Sequence, residues 1–264
     1  MKTIVFLGGG RITSALVAGL RLAGYREPVV VHDRNPEKLD ELERDYGVVA
    51  QPDLRRAFIS AGLLIVAVRP QSVRELLRKI AEFKPSRLPA VSLAAGLPLS
   101  TLRAELGPPV RWARAMPSPV CRGGRGLTAL TFARDFSVAE RRNVRAIFSR
   151  LGAVREIPER QFDAFTVTYS SSHGYHALAA LIDAAVGIGL DHKTAELAAA
   201  HALADGIAAW REGDASLQEL SREAITPGGI AAAVINSLDT SGYQQVIKRG
   251  LVAGMKQARK NASK

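Results

Sequence analysis

The chain has 264 residues, of which 47% are hydrophobic and 23% charged, a composition that is typical of folded globular proteins and excludes disordered and fibrous classes. Its one cysteine, Cys121, excludes an internal disulfide framework and favours a reducing, cytoplasmic location. The net charge of +11 comes from residues 61–160, which carry 18 basic and 7 acidic side chains. Such a region suits nucleic acid, an anionic cofactor or an acidic substrate.

The first 110 residues alternate apolar strands with helical segments. The predicted strands are Thr3–Leu7, Val29–Val31, Leu63–Val68 and Ala90–Leu93. The predicted helices are Ile12–Leu22, Pro36–Arg44 with Asn35 as N-cap, and Ser72–Ile80. Strands that are apolar throughout and alternate with helices predict a parallel sheet that is covered on both faces.

The pattern changes in the second half of the chain. From Arg111, strand-like pieces are joined by Pro and Gly, followed by a helix over Val138–Arg150 and a short strand near Val154. After Glu159 the chain is Ala-rich and helical, with breaks at residues 187–189, 213–214 and 227–229. We therefore predict an α/β domain over residues 1–159 and an all-α domain over 160–264. No apolar run approaches the roughly 20 residues that cross a bilayer, and Gly8 interrupts the N-terminal run too early for a signal peptide.

A glycine-rich loop joins the first strand to the first helix. Gly8-Gly9-Gly10-Arg11-Ile12-Thr13 follows the G-x-G-x-x-G/A pattern with Thr13 in the third position. Gly8 permits the tight turn, and Gly10 lets the backbone approach a pyrophosphate at the N-terminus of the helix. The loop predicts dinucleotide binding, the alternative being a structural turn.

The end of the second strand offers features of both nicotinamide cofactors. Asp33 is placed to accept hydrogen bonds from the adenine ribose hydroxyls, which favours NAD(H), whereas Arg34 can hold the 2′-phosphate of NADP(H). Arg11 is a second candidate partner for a phosphate.

Five motifs occur in the order that is found in pyrroline-5-carboxylate reductases, and with similar spacing. They are Gly8–Thr13, Ala67–Pro70, Ser92–Gly96, Arg114–Pro117 and Thr226–Gly229. The chain resembles this family over nearly its whole length. The resemblance implies a Rossmann-type doubly wound domain followed by an all-α dimerisation domain, a homodimer or larger homo-oligomer, and hydride transfer from NAD(P)H to the C=N carbon of 1-pyrroline-5-carboxylate, which gives proline.

The resemblance also implies roles for particular residues. The dinucleotide would be contacted by Leu7, Gly8, Gly9, Gly10, Arg11 and Ile12, and its ribose–nicotinamide side would be lined by Ala67, Val68, Arg69, Pro70, Leu93, Ala94 and Ala95. An imine carboxylate substrate would be bound by residues from three segments, namely Met116, Pro117, Ser171, Ser172, Thr226, Gly228, Gly229, Ile230 and Ala231.

The sequence departs from the family pattern at the substrate end. A Gly-Ser-Gly-Pro-Ala-Tyr run is replaced by Ser170–Tyr175, in which His173 is new and could titrate near neutral pH. His173 and Tyr175 are therefore the candidate proton donors, the alternative for each being a surface or core position. The family's last threonine is expected to hydrogen-bond the imine, and Ala231 stands in its place without a hydroxyl.

These departures keep two alternatives open, a reductase of another cyclic imine and a catalytically silent NAD(P)-binding homologue. Nucleic-acid binding is disfavoured because the basic residues are not interleaved with aromatic ones. Arg69 is interpreted as steering anionic ligands, and Arg74, Arg78, Arg141 and Arg145 as solvated surface. Arg122 and Arg125 could lower the pKa of Cys121, although ordinary packing is the default. His192 and His201 lack the cysteine or carboxylate company of a metal site, so no metal is expected.

Overall fold

Short apolar runs of the N-terminal half pair into one sheet. In the computed structural model, which describes residues 3–263, this sheet has eight strands in the order β3-β2-β1-β4-β5-β6-β7-β8. The strands are β1 (Ile4–Leu7), β2 (Val29–His32), β3 (Val49–Ala50), β4 (Leu63–Val66), β5 (Leu88–Ser92), β6 (Val110–Met116), β7 (Leu127–Phe132) and β8 (Ala153–Glu156).

The strand order reverses at the centre of the sheet. Ile4 of β1 is paired in parallel with Val29 of β2 on one side and with Leu63 of β4 on the other. All neighbouring strands are parallel except β6 and β7, which are antiparallel. A short 3₁₀ helix, Pro119–Gly123, stands between these two strands instead of the long crossover that a parallel pair requires.

Helices cover both faces of the sheet, as the strand–helix alternation predicts. The helices of this half are α1 (Arg11–Leu22), α2 (Pro36–Tyr46), α3 (Leu54–Ile59), α4 (Pro70–Ala81), α5 (Leu99–Glu105) and α6 (Val138–Ser149). Side chains of α1, α2 and α6 form one hydrophobic core, and those of α3, α4 and α5 form the other. The doubly wound architecture is thereby confirmed.

The predicted elements are confirmed, and Asn35 caps α2 by accepting hydrogen bonds from the N–H groups of Glu37 (2.8 Å) and Lys38 (3.4 Å). Three short elements, β3, α3 and α5, were not predicted from the sequence. These elements have two, six and seven residues. A helix of six or seven residues has less than two turns, and a strand of two residues is too short to show alternation. Hydrophobic periodicity therefore does not reveal these elements.

The second half of the chain is helical. Its helices are α7 (Glu159–Thr168), α8 (Ser171–Gly187), α9 (His192–Glu212), α10 (Leu217–Ala224), α11 (Ile230–Thr240) and α12 (Tyr243–Ser263). Internal contacts define one compact unit that runs up to Tyr169 and includes the chain from Ala253 onward, and a second unit over Ser170–Val252. The first unit keeps α7, which is anchored to β7 because the Tyr169 hydroxyl accepts a hydrogen bond from the N–H of Leu127 (2.7 Å). The domain boundary at residues 159 and 160 stays a prediction based on secondary-structure class.

The unit over Ser170–Val252 exposes much apolar surface in the single chain. Among the described residues, α8, α10 and α11 contain no buried side chain. Ile188 is 88% exposed and Ile230 is 87% exposed. Exposed apolar surface on this scale is typical of an interface with another chain. Over residues 3–263, no helix has both the length and the apolar character that a membrane crossing needs.

Candidate cofactor site

The glycine-rich loop lies between β1 and α1 at the carboxyl edge of the sheet. Gly8 has a φ of +110°, and a Cβ there would lie 2.8 Å from the carbonyl oxygen of Ala67. A Cβ at Gly10 would meet no atom of the described chain within 4 Å. Gly10 is also the N-cap of α1, and no side chain caps this helix within residues 3–263. The first amide groups of α1 thus face open space, which fits the phosphate of a dinucleotide.

Thr13, in the third position of the motif, braces the loop. Its side chain is fully buried, and its hydroxyl donates a hydrogen bond to the carbonyl oxygen of Gly8 (2.5 Å). The bond ties the first turn of α1 to the residue that begins the loop, so the threonine fixes the conformation of Gly8.

Asp33, which follows β2, holds the middle of the same loop. Its Oδ2 accepts a hydrogen bond from the N–H of Gly9 (2.7 Å), and its Oδ1 accepts one from the N–H of Asn35 (2.9 Å). Burial raises the pKa of the Asp33 carboxyl, but the hydrogen bonds from Asn35 and Gly9 lower it, and the net pKa lies below its usual value. The Asp33 carboxylate is therefore charged at neutral pH, and its two hydrogen bonds from backbone N–H groups fix its orientation beside the loop.

A groove of about 710 Å³ opens beside this loop. Ten of the predicted cofactor residues line it, namely Leu7, Gly8, Gly10, Arg11, Ile12, Asp33, Arg34, Ala67, Val68 and Arg69. Five of its lining residues are cations, Arg11, Arg34, Lys38, Arg69 and Lys79, against the two carboxylates of Asp33 and Glu75. The excess of positive charge favours an anionic ligand.

The other predicted cofactor residues lie outside the lining of this groove. Gly9 lines a separate cavity of about 370 Å³ between the loop and α2. Pro70 is the first residue of α4, and the Leu93–Ala95 segment follows β5. The N–H of Leu93 donates to the carbonyl oxygen of Val66 (2.9 Å), which places this segment beside the end of β4.

One wall of the groove was not predicted from the sequence. This wall is the face of α4 that carries Ser72, Glu75, Leu76 and Lys79. Their spacing of three and four residues places them on one helix face, a signal that was present in the sequence. His32, at the end of β2, also lines the groove, and its Nδ1 lies 3.0 Å from the carbonyl oxygen of Gln51.

The predicted substrate and proton-donor residues fall on three segments. Met116 ends β6, and Pro117 is buried after it. Ser171, Ser172, His173 and Tyr175 lie at the start of α8, where the Ser172 and Ser170 hydroxyls are 2.7 Å apart and Ser170 caps the helix. Ser172 therefore takes part in capping.

The last predicted substrate segment precedes α11. Gly228 has a φ of +75°, and Gly229 is the N-cap of α11, with its N–H donating to the carbonyl oxygen of Thr226 (2.9 Å). Ile230 and Ala231 begin α11 and are exposed in the single chain. Their roles, and those of His173 and Tyr175, stay predictions.

Several arginines of residues 61–160 form ion pairs with carboxylates. Arg74 and Arg78 both pair with Glu105 (2.6 and 3.1 Å), and Arg141 and Arg145 both pair with Glu156 (3.2 and 3.0 Å). Arg111 pairs with Glu140 as well. The interpretation as solvated surface holds for Arg78 and Arg145, which are 69% and 46% exposed, but is wrong for Arg74, whose side chain is 27% exposed between Glu105 and α12. Ion pairing had no signature in the local sequence because the partners are 11 to 31 residues away.

The neighbouring arginines do not activate Cys121. The thiol is buried, and burial raises its pKa to about 11 although the Arg122 charge acts in the opposite direction. The Arg122 guanidinium instead donates hydrogen bonds to the Tyr46 hydroxyl (3.1 Å) and the Ser14 hydroxyl (3.0 Å). The predicted lowering of the Cys121 pKa is wrong, and the default of ordinary packing describes this residue.

We expect iodoacetamide to alkylate Cys121 at pH 8 at least about 100-fold more slowly in the native protein than in the urea-unfolded chain. A thiol with a pKa of about 11 yields about 100-fold less thiolate at this pH than one with the usual pKa near 9. Mass spectrometry after timed quenching measures the two rates, with Cys121→Ser as the unlabelled control. Equal rates in the two states would contradict the burial argument.

The histidines predicted to lie outside any metal site are both on α9. His192 and His201 each lie one helical turn from a carboxylate, Glu196 (3.7 Å) and Asp205 (3.0 Å), which corrects the view that they lack such company. Within residues 3–263, no three side chains of the types that bind metal ions come together.

Comparison with known proteins links both halves of the chain to one family. A family model described as pyrroline-5-carboxylate reductase dimerisation matches residues 159–261, and one described as NADP oxidoreductase, coenzyme F420-dependent, matches residues 3–96. The pyrroline-5-carboxylate reductase of Mycobacterium tuberculosis is 30% identical over 281 residues, which cover 96% of this chain and 94% of the relative. That of Thermus thermophilus is 35% identical over 206 residues, covering 76% of this chain and 77% of the relative.

Solved structures agree on the fold. A pyrroline-5-carboxylate reductase from Coxiella burnetii has a TM-score of 0.87 at 24% identity and covers 98% of each chain. The pyrroline carboxylate reductase of Plasmodium falciparum, solved with NADP bound, has a TM-score of 0.86 at 20% identity and covers 99% of this chain and 98% of that one. With the same fold and 30% identity to a curated relative over 96% of its length, the chain belongs to the pyrroline-5-carboxylate reductase family.

Proposed function

We propose that the chain reduces 1-pyrroline-5-carboxylate to L-proline with NAD(P)H as the hydride donor. The observation that carries this proposal is the 30% identity to a pyrroline-5-carboxylate reductase across 96% of the chain. The uncapped start of α1 and the cationic groove beside it support the cofactor.

The N-terminal unit would bind the dinucleotide across the carboxyl edge of the sheet. The first amides of α1 would bind the pyrophosphate, because Gly10 leaves them accessible. Asp33 and Arg34 lie where the adenosine ribose is expected, and Arg69 contributes positive charge from the start of α4. Arg34 favours NADP(H), and Asp33 remains compatible with NAD(H).

Reduction of an imine requires a hydride at carbon and a proton at nitrogen. NAD(P)H supplies the hydride when it is bound. The turn before α11 would hold the substrate carboxylate, since the backbone N–H groups at a helix N-terminus attract anions. His173 or Tyr175, on the first turns of α8, would donate the proton to the imine nitrogen.

Another cyclic imine is the second candidate substrate. The observation in its favour is that Ile230 and Ala231, at the start of α11, offer no side-chain hydroxyl to an imine nitrogen. A substrate that needs no hydrogen bond at this position would be accepted equally well.

The enzyme is proposed to work as a homodimer or larger homo-oligomer in the cytoplasm. The exposed apolar surface of α8, α10 and α11 supports the assembly, and the match to a dimerisation model covers all three helices. The free, buried thiol of Cys121 agrees with a reducing compartment.

The function is tested by following NADPH and NADH oxidation with 1-pyrroline-5-carboxylate and with a panel of other cyclic imines. Turnover with 1-pyrroline-5-carboxylate and formation of proline are expected. Turnover with other imines alone would favour the second candidate. NADPH binding without turnover of any imine would identify a silent homologue.

Arg69→Gln is expected to weaken NADPH binding about two- to fivefold and to flatten its dependence on ionic strength, because an exposed cation contributes a small and screened attraction. Fluorescence titration of NADPH at low and high salt measures both effects. Arg78→Gln is the matched control, since Arg78 also lies on α4 but does not line the groove. An unchanged affinity and salt dependence in Arg69→Gln would show that Arg69 does not steer the cofactor.

A further inference from the structure

We infer that the C-terminal end of α12 is a positioning element for the nicotinamide half of the cofactor. Residues 258–262 press against the turn that contains Gly96 and so fix the Leu93–Ala95 segment before it. The inference rests on the proposed function, because it assumes that the chain binds NAD(P)H. The contacts between α12 and the turn at Gly96 do not depend on that assumption.

The turn at Gly96 is closed by α12. Gly96 has a φ of +76°, and a Cβ there would collide with the carbonyl oxygen of Ala258 and lie 2.9 Å from the Cβ of Asn261. Ala258 is 6% exposed, so its small side chain is buried within the first unit. The turn and the helix approach each other as closely as a glycine permits, and neither can shift without the other.

A hydrogen bond from Arg74 also holds the C-terminal end of α12. Its Nη2 donates a hydrogen bond to the carbonyl oxygen of Ala262 (2.8 Å), one of the carbonyls that a helix leaves unpaired in its last turn. Its Nη1 donates to Glu105 of α5 (2.6 Å). Arg74 thus links α12 to α4 and α5, which both pack on the sheet.

A third contact lies one turn earlier on α12. A Cβ at Gly254 would lie 3.0 Å from the Cγ1 of Val167 on α7. The close packing at Gly254 and Ala258 and the Arg74 bond to Ala262 together span nine residues, a little over two turns of helix. The end of α12 is therefore held along a line and not at a single point.

The strand order explains why this turn matters for hydride transfer. The groove beside Asp33 lies at the end of β2, which is the adenosine side of a doubly wound sheet. A dinucleotide that crosses the loop after β1 directs its other half towards β4 and β5. The Leu93–Ala95 segment leaves β5 there, where the N–H of Leu93 bonds to Val66 and the N–H of Ala94 bonds to the Ser92 hydroxyl (3.2 Å). Ala95 joins these two residues to the turn that α12 closes, so the contacts of α12 hold the other end of the segment.

The test uses Arg74→Gln and Gly96→Ala, with Arg78→Gln and Gly250→Ala as matched controls. Arg78 lies on the same helix and also bonds Glu105, at 3.1 Å, but it has no bond to Ala262. Gly250 lies on α12, and a Cβ there meets no atom of the described chain within 4 Å. Arg74→Gln adds no backbone strain, so it keeps the test usable if Gly96→Ala fails to fold.

Two measurements separate positioning from general damage. One is the ratio of the dissociation constants for NADPH and for adenosine 2′,5′-bisphosphate, which contains the adenosine half alone and needs no imine. The other is kcat with its isotope effect from NADPH deuterated at the transferred position. Arg74→Gln is expected to raise the Kd ratio, to lower kcat about fivefold or more and to raise the isotope effect, because small displacements of a hydride donor slow transfer steeply.

Affinity for the bisphosphate is expected to stay within twofold of wild type in both variants. If Arg74→Gln leaves the Kd ratio, kcat and isotope effect equal to those of Arg78→Gln, the inference is overturned. Equal loss of NADPH and bisphosphate binding would overturn it as well, since that is the signature of damage to the whole unit. The Kd ratio stands without turnover, so failure of the wild-type enzyme with 1-pyrroline-5-carboxylate would count against the proposed function alone.

Discussion

Gly8→Ala is expected to weaken NADPH binding by about 10- to 100-fold. Alanine at a φ of +110° costs on the order of 1–3 kcal/mol, and its Cβ would press on the carbonyl oxygen of Ala67 at 2.8 Å. The loop can relieve the backbone strain and the contact with Ala67 by moving. This movement displaces the amides at the start of α1 from the phosphate. Loss of one or two hydrogen bonds to a charged group corresponds to a factor of this size.

Gly24→Ala separates the loss of binding from the backbone strain. Gly24 also has a positive φ, of +73°, but a Cβ there meets no atom of the described chain within 4 Å, and the residue does not line the groove. Both variants are expected to lose about 1 kcal/mol or more of the free energy of unfolding. NADPH fluorescence titration and urea unfolding should show that only Gly8→Ala also loses the cofactor. If Gly8→Ala binds NADPH with wild-type affinity, the expectation that a Cβ beside Ala67 displaces the loop is wrong.

The N-terminal half could be predicted because its signals are local. Each long strand is a run of apolar residues that is buried on both faces, and each long helix has one apolar stripe. The loop from Gly8 to Thr13 adds a backbone requirement that few sequences meet by chance. Ten of the fifteen predicted cofactor residues line the groove, some predicted from the loop and the end of β2 and others, such as Ala67, Val68 and Arg69, from the family resemblance.

The features that were missed depend on residues that are distant in sequence. Glu105 neutralises Arg74 from 31 residues away, and Ala258 closes the turn at Gly96 from the far end of the chain. No periodicity connects such partners. The substrate end was predicted mainly from the resemblance, and burial adds no support for it, because α8 and α11 bury no side chain in the single chain.

Arg114→Met is expected to lower the free energy of unfolding by about 3 kcal/mol, the largest effect on stability of the variants described. Arg114, on β6, is 1% exposed and pairs with Asp163 (2.8 Å) and Glu159 (3.5 Å) of α7. Its guanidinium also lies over the ring of Phe162, at 4.2 Å from the centroid. Methionine keeps part of the packing but leaves both carboxylates without their cation, so α7 loses its main polar attachment to the sheet.

Urea unfolding of Arg114→Met, Asp163→Asn and the double variant measures how much of this effect comes from the ion pair. Asp163 is 29% exposed and Glu159 is 36% exposed, so water can recover part of their solvation and the loss should fall below that of a fully buried pair. The double variant should then be less destabilised than the sum of the single variants.

Arg44→Met is the control, because Arg44 and Asp45 are 69% and 47% exposed and their pair should contribute no more than about 0.5 kcal/mol. A loss in Arg114→Met as small as in Arg44→Met would mean that packing on Phe162, and not charge, attaches α7. In that case α7 would still belong to the sheet unit, held by this packing and by the hydrogen bond from the Leu127 N–H to the Tyr169 hydroxyl.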